Sequence, residues 1–337
     1  MTEPEAGAPA EASAPRKPKL WQQILPWVIT LACFAYLYGR MSGPAAAQQL
    51  SVPAYLGRTF ADVRWGQWLM LMAPYSILFF LVDSAVVWRV INWFNTRVAY
   101  RDILPVRGSS YILSILNEQV GKGAMGLYLY RRHGVPAWEL GSSMLFIMMC
   151  ELLYLSMWAT IGWTIAGDQL PEVFAAIPYV FGVVVVAFAV IHTVMTREGT
   201  TGESSFRDRP VFRAFREARW WYYPTIVALR SPAILAAVVV YTLVLRIFGI
   251  EVGFTTMLGY LPVIFFGAAT PGPMRSVAIT LWVVLFPDQD PGKMGAFGLV
   301  QHNFFIFFNA AIGLLFLRRA NRELFGAAET DSTGAAS

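Results

Sequence analysis

The residues with the most unusual chemistry in this chain are charged side chains within apolar segments. Glu151 lies in the middle of the apolar run 144–154. Glu118 and Lys122 are four residues apart and would share one face of a helix, while Arg275 follows a Pro-Gly-Pro-Met sequence. Because a charge at the centre of a membrane helix costs about 2.5–3.5 kcal/mol even on the mildest scale, we predict that these four residues bind the polar part of a substrate.

The sequence around two of these charges predicts an interrupted backbone. Glycines on both sides of Lys122 weaken a helix, and the prolines before Arg275 must end one. A helix that starts near residue 274 would direct free N–H groups and its positive dipole end at an anionic headgroup or phosphate. The alternatives are an arginine that reaches from a helix end to the membrane surface and a Glu118–Lys122 pair that only neutralises itself. The predicted break residues are Gly121, Gly123, Pro271, Gly272 and Pro273.

Four further polar residues are secondary binding candidates. Asp83 lies deep in an apolar run, where it would pair with Lys122 or with an arginine. His302 and Asn309 are seven residues apart and share a helix face, for which an interhelical hydrogen bond is a sufficient explanation. Asn117 belongs to the first interrupted segment.

The sequence gives no sign of catalysis. Its three histidines are scattered without metal-ligand spacing, and its two cysteines lie in apolar runs, as expected of small buried side chains. There is no phosphate-binding Walker loop and no G-x-S-x-G motif. We therefore expect a protein that is not an enzyme, with no catalytic residues, no cofactor and no metal.

The elements that must hold the charged residues are membrane helices. Of the 337 residues, 56% are hydrophobic and only 14% are charged, whereas about a quarter of a soluble chain is charged. This composition excludes most soluble enzymes and nucleic-acid-binding modules. It predicts an all-α, polytopic membrane bundle of seven or eight membrane segments, since a crossing helix needs about 20 apolar residues. The predicted spans are 20–39, 67–94, 137–166, 172–195, 232–250 and 295–317.

Two other apolar segments, 110–130 and 254–287, are interrupted. Irregular backbone cannot face lipid and must be covered by protein or line a wet cavity. We therefore predict broken or re-entrant helices near 110–130 and 254–275. Such segments in corresponding positions of two halves indicate a transporter's binding site. The predicted domains are a disordered tail at 1–19, one membrane domain at 20–320 with an inner loop at 197–223 between its halves, and a disordered tail at 321–337.

The lysines and arginines predict the orientation. With the N-terminus inside, nineteen of the 26 fall at the inner ends of the spans, among them Arg230, which we assign to the inner loop. The positive-inside rule then places both termini in the cytoplasm. Apolar residues of the inner loop share one helical face, which favours a helix lying in the membrane interface; a plain tether is the alternative. The cations at the outer ends are Arg40, Arg58, Arg64, Arg246 and Lys293.

Parts of this pattern resemble a known family. The stretch from Asn117 to Gly121, the basic segment 127–135, Glu151 and the break 270–273 are similar to motifs in the membrane domain of bacterial lysyl-phosphatidylglycerol synthases and their flippase-like relatives. The resemblance covers 107–165 and 254–285. It implies a polytopic fold with re-entrant helices that handles lipid headgroups between leaflets, without the aminoacyl-transfer activity.

From these observations we predict a flippase-like translocase for an anionic lipid or a lipid-linked intermediate. The headgroup would lie in a cavity formed by the two broken helices. Two alternatives stay open, a membrane scaffold for lipid or polysaccharide assembly and a small-solute or proton-coupled transporter. The expected partners are anionic membrane lipids and a glycosyltransferase or lipid-modifying enzyme, and no nucleic acid.

Overall fold

The structure, a computed structural model, describes residues 20–114, 118–197, 208–268 and 275–333, with the side chains of 24–112, 125–197, 208–268 and 275–318. Within these ranges the regular elements are helices, and there is no strand. The α-helices are α1 (Leu20–Ala47), α2 (Val52–Ala61), α3 (Trp65–Phe94), α4 (Tyr100–Ser114), α5 (Glu118–His133), α6 (Ala137–Ala166), α7 (Ile177–Thr196), α8 (Arg213–Glu217), α9 (Tyr222–Ile247), α10 (Phe254–Ala268), α11 (Ser276–Val284) and α12 (Pro291–Thr333).

Six of the described helices, α1, α3, α6, α7, α9 and α12, are long and apolar enough to cross a membrane. Their outward surface is apolar as well. In α7, for example, Val183 and Val186 are more than 60% exposed, which is unfavourable in water and favourable in lipid. The prediction of an all-α polytopic membrane bundle is therefore confirmed.

The two interrupted segments form helix pairs. Helix α4 packs against α5, and α10 packs against α11. At about 1.5 Å per residue, each of these helices is shorter than the roughly 30 Å hydrocarbon layer, so each pair is a hairpin that enters the bundle and returns. Residues 115–117 and 269–274, which include Asn117, Pro271, Gly272 and Pro273, lie outside the described residues.

One prediction about the first hairpin was wrong. Helix α5 begins at Glu118 and continues through Gly121 and Gly123, so these glycines lie within a helix and do not interrupt it. Each costs about 1 kcal/mol relative to alanine.

The order of elements is repeated once. The series α1, α3, hairpin α4–α5 and α6 is followed by α7, α9, hairpin α10–α11 and α12. Each half contributes three crossing helices. Because three is an odd number, the second half begins on the opposite side of the membrane and is inverted relative to the first. We call the end where α3 stops and α6 and α9 start the near end, and the opposite end the far end. Trp93 stacks on Tyr222 at 3.9 Å and Ser143 donates to Asn95 at 2.7 Å at the near end.

The packing follows the same inverted symmetry. In the first half, α4 of the hairpin packs along α12, the last helix of the second half. In the second half, α10 packs along α6, the last helix of the first half. The corresponding helices α3 and α9 pack against each other. Each hairpin is therefore held by the other half of the molecule.

Glycines lie at both hairpin contacts. A Cβ atom on Gly162 of α6 would be 2.6 Å from the backbone of Gly259 in α10. In the same way, a Cβ atom on Gly313 of α12 would overlap the carbonyl oxygen of Gly108 in α4. Small residues allow this close approach of two backbones. The two glycine pairs are equivalent positions of the repeat.

The loop between the halves docks on the bundle. Phe215 of α8 is buried and packs on Phe146 at 5.7 Å. The backbone N–H of Ala214 donates to Ser142 at 2.8 Å, and Arg213 pairs with Glu139 of α6. Of the apolar face that we predicted to lie in the membrane interface, Phe215 and Ala218 are therefore covered by protein, whereas Val211 is 39% exposed. Helix α12 continues to Thr333, past residue 320, where we placed the end of the membrane domain.

One polar contact ties α2 to the start of α12 at the far end. The Tyr55 hydroxyl donates to the two carboxylate oxygens of Asp290 at 2.5 and 2.7 Å. Burial, and then the hydrogen bond to Asp290, raise the pKa of Tyr55 above its usual 10.0, so the phenol keeps its proton and continues to donate.

We expect Tyr55→Phe to lower the free energy of unfolding by about 1.5–3 kcal/mol, the usual range for a hydrogen bond to a charged group. Denaturant unfolding of the detergent-solubilised protein measures this loss. Tyr179→Phe is the control, because Tyr179 is 78% exposed and should leave the midpoint unchanged. Equal midpoints for Tyr55→Phe and the wild type would contradict the expected contribution of this contact.

Candidate functional site

Buried charges from four helices meet inside the bundle. Arg107 of α4 lies 2.5 Å from Asp83 of α3, measured from Nε to Oδ2. Arg230 of α9 lies 3.8 Å from the other oxygen of Asp83 and 3.2 Å from Glu151 of α6. The Tyr111 hydroxyl donates to Asp83 at 2.7 Å. We call Asp83, Arg107, Glu151 and Arg230 the ion cluster; its formal charges sum to zero.

The ion cluster lies well inside the membrane-spanning helices, away from their ends. At about 1.5 Å per residue, Arg230 is roughly 12 Å from the start of α9 and Asp83 roughly 16 Å from the end of α3. By the same measure, Glu151 is about 21 Å from the start of α6. All three helix ends lie at the near end, and the layer is about 30 Å thick. At such depth an ionised group needs a partner, which explains why the cluster contains both signs.

The members of the cluster differ in exposure. The side chains of Asp83, Arg230 and Arg107 are 8%, 10% and 14% exposed, whereas that of Glu151 is 41% exposed. A carboxylate that met lipid directly would be costly, so we expect the open side of Glu151 to face a polar environment. Behind it, Nε of Arg230 is buried without a hydrogen-bonding partner. The Glu151–Arg230 pair thus offers an open acceptor and an unused donor.

Two contacts fix this pair between its helices. The Tyr154 hydroxyl, one turn after Glu151, donates to the carbonyl oxygen of Arg230 at 3.4 Å. The Trp158 indole, one turn further, donates to Ser231 at 3.0 Å. Helices α6 and α9 are therefore locked in register at the depth of the ion cluster.

A second polar cluster lies nearer the far end. The Trp282 indole of α11 donates to His302 of α12 at 3.2 Å, and Gln301 donates to the Tyr241 hydroxyl of α9. Asn309 lies about two turns further along α12 than His302, roughly 10 Å away by helix rise; it is buried, and its carbonyl oxygen has no hydrogen-bonding partner among the described residues. Trp282, His302, Gln301 and Tyr241 thus form buried hydrogen bonds between α9, α11 and α12.

Arg275 belongs to the surroundings of the second cluster. It precedes α11, is half-buried, and has left-handed backbone angles of φ 49° and ψ 40°. It lies close enough to Tyr241 and His302 to act on both electrostatically. Tyr241 packs against Tyr75 of α3 with 5.4 Å between ring centroids, and Tyr75 is about 12 Å along α3 from Asp83.

The structure thus groups the predicted site residues differently from the sequence analysis. It brings Asp83 and Glu151 together, and it places Arg275 with His302 and not in the ion cluster. Two cavities of about 370 and 380 Å³ are described, and neither is lined by Glu151 or Arg275. The side chains of Glu118 and Lys122 lie outside the described residues, so their predicted role stays a prediction.

Sequence analysis missed both arginines of the ion cluster. The assignment of Arg230 to the inner loop was wrong, because α9 starts at Tyr222 and not near residue 232. The signal was the apolar spacing of Tyr223, Ile226 and Val227, which is helical and continues into Arg230. Arg107 gave a weaker signal, since it lies in a polar stretch before the apolar run.

The arrangement is suited to binding a polar group within the bilayer. Among the described residues, no group of three or more His, Cys, Asp or Glu side chains is placed to hold a metal ion. No protein-family model, curated protein or solved structure matches the chain. The resemblance to the lysyl-phosphatidylglycerol synthase family therefore stays a prediction.

Proposed function

We propose that this chain is a flippase-like membrane translocase, which carries the headgroup of an anionic lipid or of a lipid-linked intermediate across a bacterial inner membrane. The observation that supports this most is the half-exposed Glu151 against the buried Arg230 at mid-depth of the bundle. The inverted halves, each with a hairpin, add support because many transporters use this architecture for alternating access.

Arg230 is the residue suited to an anionic headgroup. A guanidinium binds phosphate through two parallel hydrogen bonds, and Nε of Arg230 has no partner among the described residues. Glu151 is the competing anion. Because its side chain is the open one, it can turn away while Asp83 and Arg107 stay in place. The headgroup phosphate then replaces the carboxylate beside Arg230, and the charge of the cluster stays balanced.

A groove beside these helices supports a lipid over a small solute. It has a volume of about 370 Å³ and lies between α6, α7 and α9. Its walls include Leu153, Val185, Phe188 and Tyr223, which suit an acyl chain. A scaffold is less well supported, because a scaffold needs no open carboxylate at this depth and Glu151 is not fully packed.

The proposal predicts that Arg230→Gln slows lipid movement by about tenfold or more, which corresponds to losing one charge-assisted hydrogen bond. The assay measures the movement of fluorescent phosphatidylglycerol between the leaflets of proteoliposomes. Arg219→Gln is the matched control, because Arg219 is exposed at the near end and the substitution removes the same charge.

A second variant distinguishes a loss of headgroup binding from unfolding of the protein. Glu151→Gln removes the charge of the open residue, and because the side chain is 41% exposed the bundle should persist on size-exclusion chromatography. We expect an altered flipping rate in this variant as well. If both Arg230→Gln and Glu151→Gln move the lipid between leaflets at the wild-type rate, the translocase proposal is wrong.

A further inference from the structure

A polar cavity lies at the far end of the bundle, away from the ion cluster. It has a volume of about 380 Å³ and is formed where α1 and α9 end, along α2, and where α12 begins. Its volume falls in the usual range of small-ligand sites, about 300–1,000 Å³. Four separate segments of the chain contribute to its walls, so the cavity depends on the folded bundle.

Three cations from three helices line this cavity. They are Arg58 of α2, Arg246 of α9 and Lys293 of α12. Among the described residues, no carboxylate lies within 4 Å of their charged nitrogen atoms, whereas the arginines of the ion cluster are paired. The three cations of the cavity therefore lack a direct ion-pair partner among the described residues.

The two acidic residues of the cavity, Asp62 and Asp290, offset only part of this charge. The carboxylate of Asp290 already accepts hydrogen bonds from Tyr55 and from the backbone N–H groups of Gly292 and Lys293, at 2.8 and 3.0 Å. Asp62 also lines the wall and is exposed. Three cations thus face two carboxylates, and the lining keeps a formal net charge of +1.

Lys293 is held in place by the turn after α9. Gly249 in this turn has a φ of +69°, and a Cβ atom there would lie 3.1 Å from Nζ of Lys293. The missing side chain leaves room for the ammonium group. Lys293 is half-buried, and a partly buried cation gains most from an anionic partner.

The sequence makes this concentration of charge unexpected. In the predicted orientation only five lysines and arginines fall at the outer ends of the spans, and three of the five line this one cavity. Cations that only keep the outer surface soluble would be expected to lie apart from one another. The three that converge here from α2, α9 and α12 are instead placed to bind one anionic ligand.

We infer that this cavity binds a phosphate-class oxyanion, held by Arg58, Arg246 and Lys293. Guanidinium and ammonium groups both bind phosphate oxygens strongly, and Thr59 on the wall supplies a hydroxyl donor. The same chemistry is offered by free phosphate and by the phosphodiester of a lipid headgroup. The inference does not depend on the proposed translocase function, since it uses none of the residues of the ion cluster.

Calorimetric titration of the full chain in detergent tests this inference, with two probes, inorganic phosphate and short-chain phosphatidylglycerol below its micelle concentration. We expect saturable binding that Arg246→Gln and Lys293→Gln each weaken by about tenfold, as the loss of one charge-assisted hydrogen bond does. Arg64→Gln is the matched control, because Arg64 is an exposed cation of the far end that does not line the cavity. Size-exclusion profiles establish that each variant is folded.

The two probes separate the sources of the ligand. Binding of both probes supports a site for the phosphate group alone, and binding of the lipid alone supports a headgroup site. The inference is wrong if neither probe binds at millimolar concentration, or if binding persists in the triple variant Arg58→Gln, Arg246→Gln, Lys293→Gln. It is also wrong if Arg230→Gln abolishes binding and the cavity variants do not, since the lipid then binds at the ion cluster.

Discussion

Replacing Asp83 by alanine is expected to lower the free energy of unfolding by about 3–5 kcal/mol, the usual result of removing one partner from a buried ion pair. Asp83 is 6% exposed and lies between Arg107 and Arg230. Without its carboxylate the two guanidinium groups repel each other at a depth where water does not screen them. Denaturant unfolding in detergent, followed by helical circular dichroism, measures the effect.

The control and a compensating variant make this expectation specific. Asp168→Ala removes an exposed carboxylate and should change the free energy of unfolding by less than about 0.5 kcal/mol. The double variant Asp83→Leu, Arg107→Met should recover part of the loss, because replacing both charges by apolar groups of similar size is often neutral. A loss below about 1 kcal/mol in Asp83→Ala would show that the cluster is not the buried network described above.

The second large effect is expected at the glycine contacts of the hairpins. Gly162→Ala should destabilise the bundle by about 1–3 kcal/mol, the range for overpacking a close contact, because the new Cβ would lie 2.6 Å from the backbone of Gly259. The backbone of Gly259 cannot move out of the way of the new Cβ as a flexible side chain could, so α6 and α10 must move apart. Gly313→Ala should act in the same way at the contact between α12 and α4.

A control for this effect lies on the same helix. A Cβ on Gly141 of α6 would meet no atom within 4 Å, so Gly141→Ala should instead stabilise the helix by roughly 0.5–1 kcal/mol. Thermal unfolding of the two variants in one detergent compares them directly. Opposite signs are expected, and a stabilising Gly162→Ala would refute the close packing of α6 on α10.

The membrane helices could be predicted because their signal is local. The span 137–166 matches α6 at both ends, since an apolar run of 30 residues in a bilayer forms a membrane-crossing helix. The span 232–250 was predicted ten residues late, because Arg230 and Pro232 interrupt an apolar pattern that packing against α3 allows to continue. Here tertiary contacts outweighed the local pattern.

The site was less predictable, because its pairs join distant parts of the chain. Glu151 was conspicuous as a lone charge in an apolar run, but its partner Arg230 resembled an ordinary residue of a basic loop. Only the antiparallel packing of α3 and α9 brings Arg230 to Asp83. The glycine pairs were hidden for a similar reason, since a single glycine in a sequence does not show which backbone approaches it.

The crossed packing of the hairpins has a mechanical consequence. Each hairpin rests on the final helix of the opposite half, through Gly108 and Gly313 at one contact and Gly162 and Gly259 at the other. A tilt of either half must therefore carry along the hairpin of the other half that is anchored to it. The two halves of the molecule are therefore coupled mechanically, and neither hairpin can move independently of the opposite half.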